Sequence, residues 1–168
     1  MILSAQTIRH RCFNGSMITP FHERTVSQGK TFGLGAAGYD VRVEFNVGNM
    51  VNFSAPIRYA DGYSNSGRVF LLASTMERFI MPDNVMGIVH DKSSWARKGL
   101  TVQNTVIEPG WAGFLTLELA YHGESELTVC YGDPIAQIVF HLLDEVTEQP
   151  YRGKYQNQER GPQEAIEE

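Results

Sequence analysis

The chain has 168 residues, with 14 Lys plus Arg against 19 Asp plus Glu, a formal charge of −5. That length fits one domain with a real core, and the acidic balance excludes a general binder of nucleic acid or anionic membrane, because both repel net negative charge. Two cysteines, Cys12 and Cys130, exclude a disulfide-rich scaffold and an all-cysteine zinc site. No apolar run approaches the ~20 residues of a membrane span. The start lacks the long apolar stretch of a signal peptide, so the expected setting is the cytoplasm.

In chain order, Ser4 to about Arg11 reads as a short helix with Ser4 as N-cap. After it the hydrophobic period is mostly two. Tyr39 to Phe45 alternates cleanly, with Val41, Val43 and Phe45 on one face and Asp40, Arg42 and Glu44 on the other, the pattern of a half-buried strand. Further strands are predicted over Val69–Ala73, Val85–His90, Thr101–Ile107, Phe114–Tyr121, Leu127–Tyr131 and Ile135–Leu143. Turn signals separate them, among them Pro82-Asp83-Asn84, Pro109-Gly110, His122-Gly123 and Gly132-Asp133-Pro134. A helical turn is predicted around Ser93 to Lys98. Many short strands and few helices imply a mainly β fold, a barrel or jelly roll.

Residues 149–168 differ from the rest: polar, Gln-rich and almost without aliphatics. Such a segment buries too little surface to order itself. It is either a disordered tail or, given Tyr151, Arg152, Lys154, Tyr155, Gln156 and Gln158, a segment that orders over a ligand. The chain thus divides into a body, 1–148, and a tail, 149–168.

Two stretches carry candidate chemistry. His90 to Lys98 leaves a strand and enters a turn, with two hydroxyls, two lysines and an arginine. It is either a phosphate cradle or a capped turn with a solvated face. In Phe114–Tyr121, Leu115, Leu117 and Leu119 share one face, which puts Glu118 on the other, mid-strand in an apolar sequence. A carboxylate there is either an exposed outer-face group or a pocketed one; burial would raise its pKa toward neutral, the range suited to proton transfer.

Five ordered motifs resemble the dCTP deaminase branch of the dUTPase-like family. AGYDVRV at Ala37–Val43 is similar to the first, DKSSWARKGL at Asp91–Leu100 to the serine motif, and TVIEPGWAGFLTLEL at Thr105–Leu119 to the Ile-Asp-Pro-Gly-Trp motif and its strand. DPIAQIVF at Asp133–Phe140 is similar to the fourth, and YRGKYQNQERGP at Tyr151–Pro162 to the closing C-terminal segment; MILSAQTI at the start also fits. Glu118 follows Glu108 by ten residues and the tail lacks the Gly-rich end of ordinary dUTPases, both as in the deaminases. The segment between Arg97 and Glu108 is shorter than the family's usual one.

The resemblance implies the distorted barrel or jelly roll of that family, with a short N-terminal helix and a short helix at the serine motif. It implies zinc-independent deamination of a deoxycytidine nucleotide, dCTP giving dUTP and ammonia. The zinc deaminase signature cannot be assembled from Cys12 and Cys130. Glu118 would be the general base, Ser93 would position the water, and Arg97 would orient Glu118. Lys92, Ser94, Lys154 and Gln158 would join Ser93 on the phosphates, with Tyr151 beside them. Glu108 would meet the sugar 3′-hydroxyl, although the family's usual residue is Asp. Trp111 would pack behind the sugar or serve as plain core; Gln137 and Asp40 would lie near the base or support the site. Lys92 stands where the family usually has Arg, a point charge in place of a fork. Thr101 to Thr105 would form part of the base pocket and take part in feedback by dTTP. The implied assembly is a homotrimer with shared active sites, the tail closing each one, and magnesium carried on the nucleotide phosphates. A dUTP pyrophosphatase, a bifunctional deaminase–pyrophosphatase and a non-catalytic nucleotide binder of the same fold are the rival readings. The sequence leaves phosphate number and base modification open.

Overall fold

A computed structural model describes the chain except residues 47, 56, 59–63, 66, 104–105 and 168. The first element, α1 (Ala5–Gly15), outruns the sequence expectation and ends where Ser16 turns left-handed at φ 53°. Ser4 holds the N-cap position, but its hydroxyl meets Thr7 Oγ1 at 3.3 Å and caps no backbone N–H. Ile8 and Cys12, one turn apart, are its buried residues.

Strands then follow the two-residue period. They are β1 (Ile18–Thr19), β2 (Thr25–Ser27), β3 (Lys30–Leu34), β4 (Tyr39–Glu44), β5 (Met50–Phe53), β6 (Ile57–Arg58) and β7 (Ser64–Asn65). After them come β8 (Phe70–Ile80), β9 (Val85–Asp91), α2 (Ser93–Ala96), β10 (Leu100–Gln103), β11 (Val106–Ile107), β12 (Ala112–Tyr121), β13 (Leu127–Cys130) and β14 (Pro134–Leu142). In β4, Tyr39, Val41 and Val43 are buried and Asp40, Arg42 and Glu44 are half-buried, as the alternation requires.

Ten strands make one curled, half-barrel sheet in the order β10-β12-β8-β4-β14-β9-β11, with β1 on β8 and the β2–β3 hairpin on β4. Among the described residues the strand pairings of this sheet are antiparallel, so each strand can bury one face and leave the other for a site. The core takes Tyr39, Val41, Val43, Phe79, Leu117, Leu119, Ile135, Ile138 and Phe140.

Two expectations need correction. The strand predicted over Val69–Ala73 continues to Ile80, because Ser74, Thr75 and Glu77 are buried polar residues that break the apolar signal without breaking the ladder. Thr75 Oγ1 donates to the Glu77 carbonyl at 2.7 Å and accepts from Leu115 N at 3.0 Å. Arg42 Nε reaches Glu77 Oε1 at 2.7 Å and Arg42 N reaches Oε2 at 2.9 Å. Internal bonds thus replace the solvation these groups lose. The single strand predicted over Thr101–Ile107 is two, β10 on β12 and β11 on β9. Asn104 and Thr105 lie outside the described residues.

β12 is the strand that matters for the site. Its Leu115, Leu117 and Leu119 are buried, and Thr116 and Glu118 are half-buried on the other face. Register shifts between Phe114 and Thr116, where Leu115 N bonds to Thr75 rather than along the ladder.

Candidate active site

Glu118 stands in the middle of β12, opposite Gln103 of β10 and Leu72 of β8. It lines a cavity of about 700 Å³, so its reading as a pocketed carboxylate fits and that of a bare outer-face group does not. Glu108, ahead of the Pro109–Gly110 turn, lines the same cavity, as do Trp111, Tyr151 and Gln158. The turn places them: Gly110 has φ 80°, and a Cβ there would sit 2.6 Å from Pro150.

The tail is ordered along the start of β12. Tyr151 N donates to Pro109 O at 2.8 Å, Asn157 N to Ala112 O at 2.8 Å, and Phe114 N to Gln158 O at 3.0 Å. Gly113 and Gln158 form a parallel bridge, and a Cβ on Gly113 would lie 2.7 Å from Gln158 N, so the tail's approach requires glycine. Gln156 spans both sides of the turn, accepting from Ala112 N and donating to Gly110 O, each at 2.8 Å. Trp111 is buried and donates its indole N–H to Tyr155 O at 2.8 Å, so it serves as a docking post for the tail as well as a cavity wall. Gln158 Nε2 donates to Thr116 Oγ1. Lys154 lines neither cavity described here; its ammonium donates to Ile166 O at 2.6 Å.

The serine motif lies at a second cavity, about 330 Å³, lined by Lys92, Ser93 and Ser94 with Lys30, Thr31 and Lys98. Ser93 and Ser94 are exposed on α2. Trp95 anchors the turn through its indole N–H on Pro134 O at 2.6 Å, and Asp91 Oδ1 accepts from Val102 N at 2.7 Å, tying the end of β9 to β10. Lys92 is ion-paired with Asp40, which also accepts from Gln137 Nε2 at 3.2 Å. Gln137 and Asp40 therefore form a support beneath Lys92 and line neither cavity. Arg97 is exposed and lines neither cavity; its backbone N–H donates to Ser93 O at 3.2 Å, and its side chain makes no hydrogen bond or ion pair with the described residues.

Charge divides the two cavities. Among the described residues, the larger is lined by Glu108, Glu118 and Glu164 and by no cation, and the smaller by three lysines and by no carboxylate. They share no lining residue. Glu118 and Ser93 are thus both at cavities, but at different ones of the same chain.

Several cavity residues escaped the sequence reading. Leu72 was accessible through register, since it pairs with Glu118. Gln163, Glu164 and Ala165 line the larger cavity from a stretch whose composition signals only solvation. Lys30 was accessible through its turn: Gln28 and Gly29 have φ 49° and 74° and close a two-residue hairpin between Ser27 and Lys30. Neither cysteine belongs to the site. Both are free, and burial pushes the Cys12 thiol up to about 11, which leaves it inert. Among the described residues no group of three or more His, Cys, Asp or Glu could hold a metal ion.

Comparison with known proteins supplies the family. A family model described as dCTP deaminase-like matches residues 2–143. A dCTP deaminase of Sulfurovum sp. (strain NBC37-1) is 35% identical over 173 residues, covering 90% of this chain and 89% of that protein. Among solved structures, the 2′-deoxycytidine 5′-triphosphate deaminase from Agrobacterium tumefaciens superposes with a TM-score of 0.59 at 18% identity, over 84% of this chain and 47% of that one. The native EIAV dUTPase gives 0.51 at 20% identity, over 84% and 95%. The two structures establish the dUTPase-like fold, and the family model and the sequence relative establish the branch: the chain belongs to the dCTP deaminase-like family.

Proposed function

We propose that this protein hydrolyses the exocyclic amine of a deoxycytidine nucleotide, converting dCTP and water to dUTP and ammonia. The observation that carries the reading is Glu118, half-buried mid-strand, lining one cavity with Glu108 and Trp111. The family relationship supports it. Glu118 takes a proton from water as the water oxygen bonds to C4. It gives that proton to the ring nitrogen, then takes the second water proton from the new C4 hydroxyl and passes it to the amine; the C4–N bond breaks as the C4 carbonyl forms, and ammonia leaves with the Glu118 carboxylate restored. Such acid–base work contributes roughly 10²–10⁴-fold, and positioning and electrostatics supply the rest. Glu108 takes the sugar hydroxyl, Trp111 backs the sugar, and Tyr151 and Gln158 close the cavity from the tail.

The charge division favours a site shared between copies. A triphosphate placed beside Glu108, Glu118 and Glu164 meets only like charge. The lysine-lined cavity supplies the cations, with Ser93 and Ser94 as donors. In the proposed homotrimer the serine motif of one copy faces the Glu118 cavity of its neighbour, which brings Ser93 to the attacking water and Arg97 to Glu118. Lys92 is steadied there by Asp40 and Gln137, while Lys154 must leave Ile166 to reach a phosphate. Magnesium travels with the phosphates; the described residues offer it no protein cage. The protein works in the cytoplasm, where free thiols such as Cys12 and Cys130 persist; no helix of the described residues is long and apolar enough to cross a membrane.

The test is ammonia release from dCTP with excess magnesium and a zinc chelator. Glu118→Gln should slow it at least about 100-fold while dCTP binding stays within a few-fold. Undiminished turnover by that variant overturns the assignment of Glu118. Pyrophosphate release from dUTP by the wild-type protein would move the reaction to the pyrophosphatase reading.

A further inference from the structure

The smaller cavity is lined by two lysines besides Lys92. Lys30 enters it from the β2–β3 hairpin and Lys98 from the turn after α2. Both ammonium groups lie over the Trp95 ring, at 5.2 and 5.1 Å from its centroid. Trp95 is held from below by Pro134 O, so its ring is a fixed platform for both.

The lysines differ in how they are compensated. Lys92 is paired with Asp40. Lys30 is paired with Asp133 at 2.6 Å, and the second Asp133 oxygen accepts from Cys130 N at 3.0 Å. Lys98 has no carboxylate partner among the described residues, and its contact is the face of Trp95. Neither Asp40 nor Asp133 lines the cavity. The cavity is lined by three lysines and by three hydroxyl residues, Thr31, Ser93 and Ser94. Carboxylates offset Lys30 and Lys92, whereas a ring face offsets only part of the charge of Lys98. A multiply charged anion with many acceptor oxygens answers both the charge and the donors.

We infer that Lys30 and Lys98, seated on Trp95, extend the phosphate site beyond Lys92, Ser93 and Ser94 and set the enzyme's preference for a polyphosphate over a monophosphate nucleotide. This rests on the proposed function in placing the nucleotide's phosphates at Ser93 and Ser94. A single phosphate is satisfied by Ser93 and Ser94 with Lys92. Further phosphates carry the additional charge that Lys98 and Lys30 neutralise. Lys98 is the position to change, since Lys30→Ala would strand the buried Asp133 carboxylate.

Binding can be measured without turnover. Inorganic tripolyphosphate and inorganic phosphate are titrated calorimetrically into the full chain and its variants, each checked for an unchanged thermal midpoint. Tripolyphosphate should bind the wild type; Lys98→Ala should weaken it about tenfold, Lys98→Arg should restore most of it, and inorganic phosphate should shift less than threefold. Arg24→Ala, exposed and away from the cavity, should leave both ligands unaffected. Equal tripolyphosphate affinity in the wild type and Lys98→Ala, no binding to the wild type, or equal weakening by Arg24→Ala overturns the inference. In turnover, Lys98→Ala should raise KM for dCTP about tenfold and KM for dCMP much less. Failure of the wild type to release ammonia would sink the proposed reaction while leaving the tripolyphosphate titration to decide the anion site.

Discussion

Glu77 has no exposed surface, and both of its carboxylate oxygens are held by Arg42, one through the guanidinium and one through the backbone N–H. Burial pushes its carboxyl up against the pull of Arg42. Arg42 also donates to the His22 ring nitrogen at 3.0 Å and lies over Phe32 at 4.8 Å from the ring centroid. The cluster thus pins β4, β8 and the segment before β2 through one charge pair. A buried pair of this kind is dangerous to halve, since the partner left behind is a buried, uncompensated charge. Glu77→Ala should destabilise the fold by about 3–5 kcal/mol, read as a lower denaturant midpoint at an unchanged slope. A loss below about 1 kcal/mol would mean that water reaches Arg42 and that the pair is worth no more than a surface one. Glu118 makes the contrast: also a carboxylate among strand residues, it is only half-buried and lines a cavity, as the proposed general base requires.

At the scale of elements, the irregular place in β12 has a definite cause. Leu115 N leaves the ladder and donates to Thr75 Oγ1, and Thr75 Oγ1 donates onward to Glu77 O. The register shift between Phe114 and Thr116 falls at that bond, three residues before Glu118. Thr75→Val keeps shape and removes the acceptor, leaving a buried N–H without a partner. Chemical denaturation should show a loss of about 1–3 kcal/mol; a neutral result would mean that Leu115 N finds its partner elsewhere in the strand pair. The same bond explains what sequence reading reached. β4 was legible because Tyr39 to Glu44 alternates without exception, and Glu118 because three leucines fix its face. The second half of β8 was not, because its inward side chains include Ser74, Thr75 and Glu77, whose burial depends on partners distant in sequence. The tail was not legible for another reason. It is held by backbone bonds to β12 and by Trp111 and Gln156, none of which leaves an apolar pattern.

At the scale of the molecule, the decisive fact is that Glu118 and Ser93 line cavities of opposite charge with no residue in common. A site assembled from two copies predicts a behaviour that no single-chain site can imitate. In such an assembly Ser93→Ala would damage only the face a copy offers to one neighbour, and Glu118→Gln only the face it offers to the other. Each variant alone should be inactive. In an equal mixture, reassembled from dissociated chains or co-expressed, a site is intact when an unaltered serine motif from a Glu118→Gln copy meets an unaltered Glu118 from a Ser93→Ala copy. In a closed ring with random assortment that is one arrangement in four, so about a quarter of wild-type ammonia release should return. The number does not depend on how strongly either substitution damages catalysis, provided each alone is silent. Recovery should also require exchange of chains, and be absent when preformed oligomers are mixed without dissociation. No recovery after demonstrated exchange would place Ser93 and Glu118 in one chain's site and require that chain to close its two cavities onto each other.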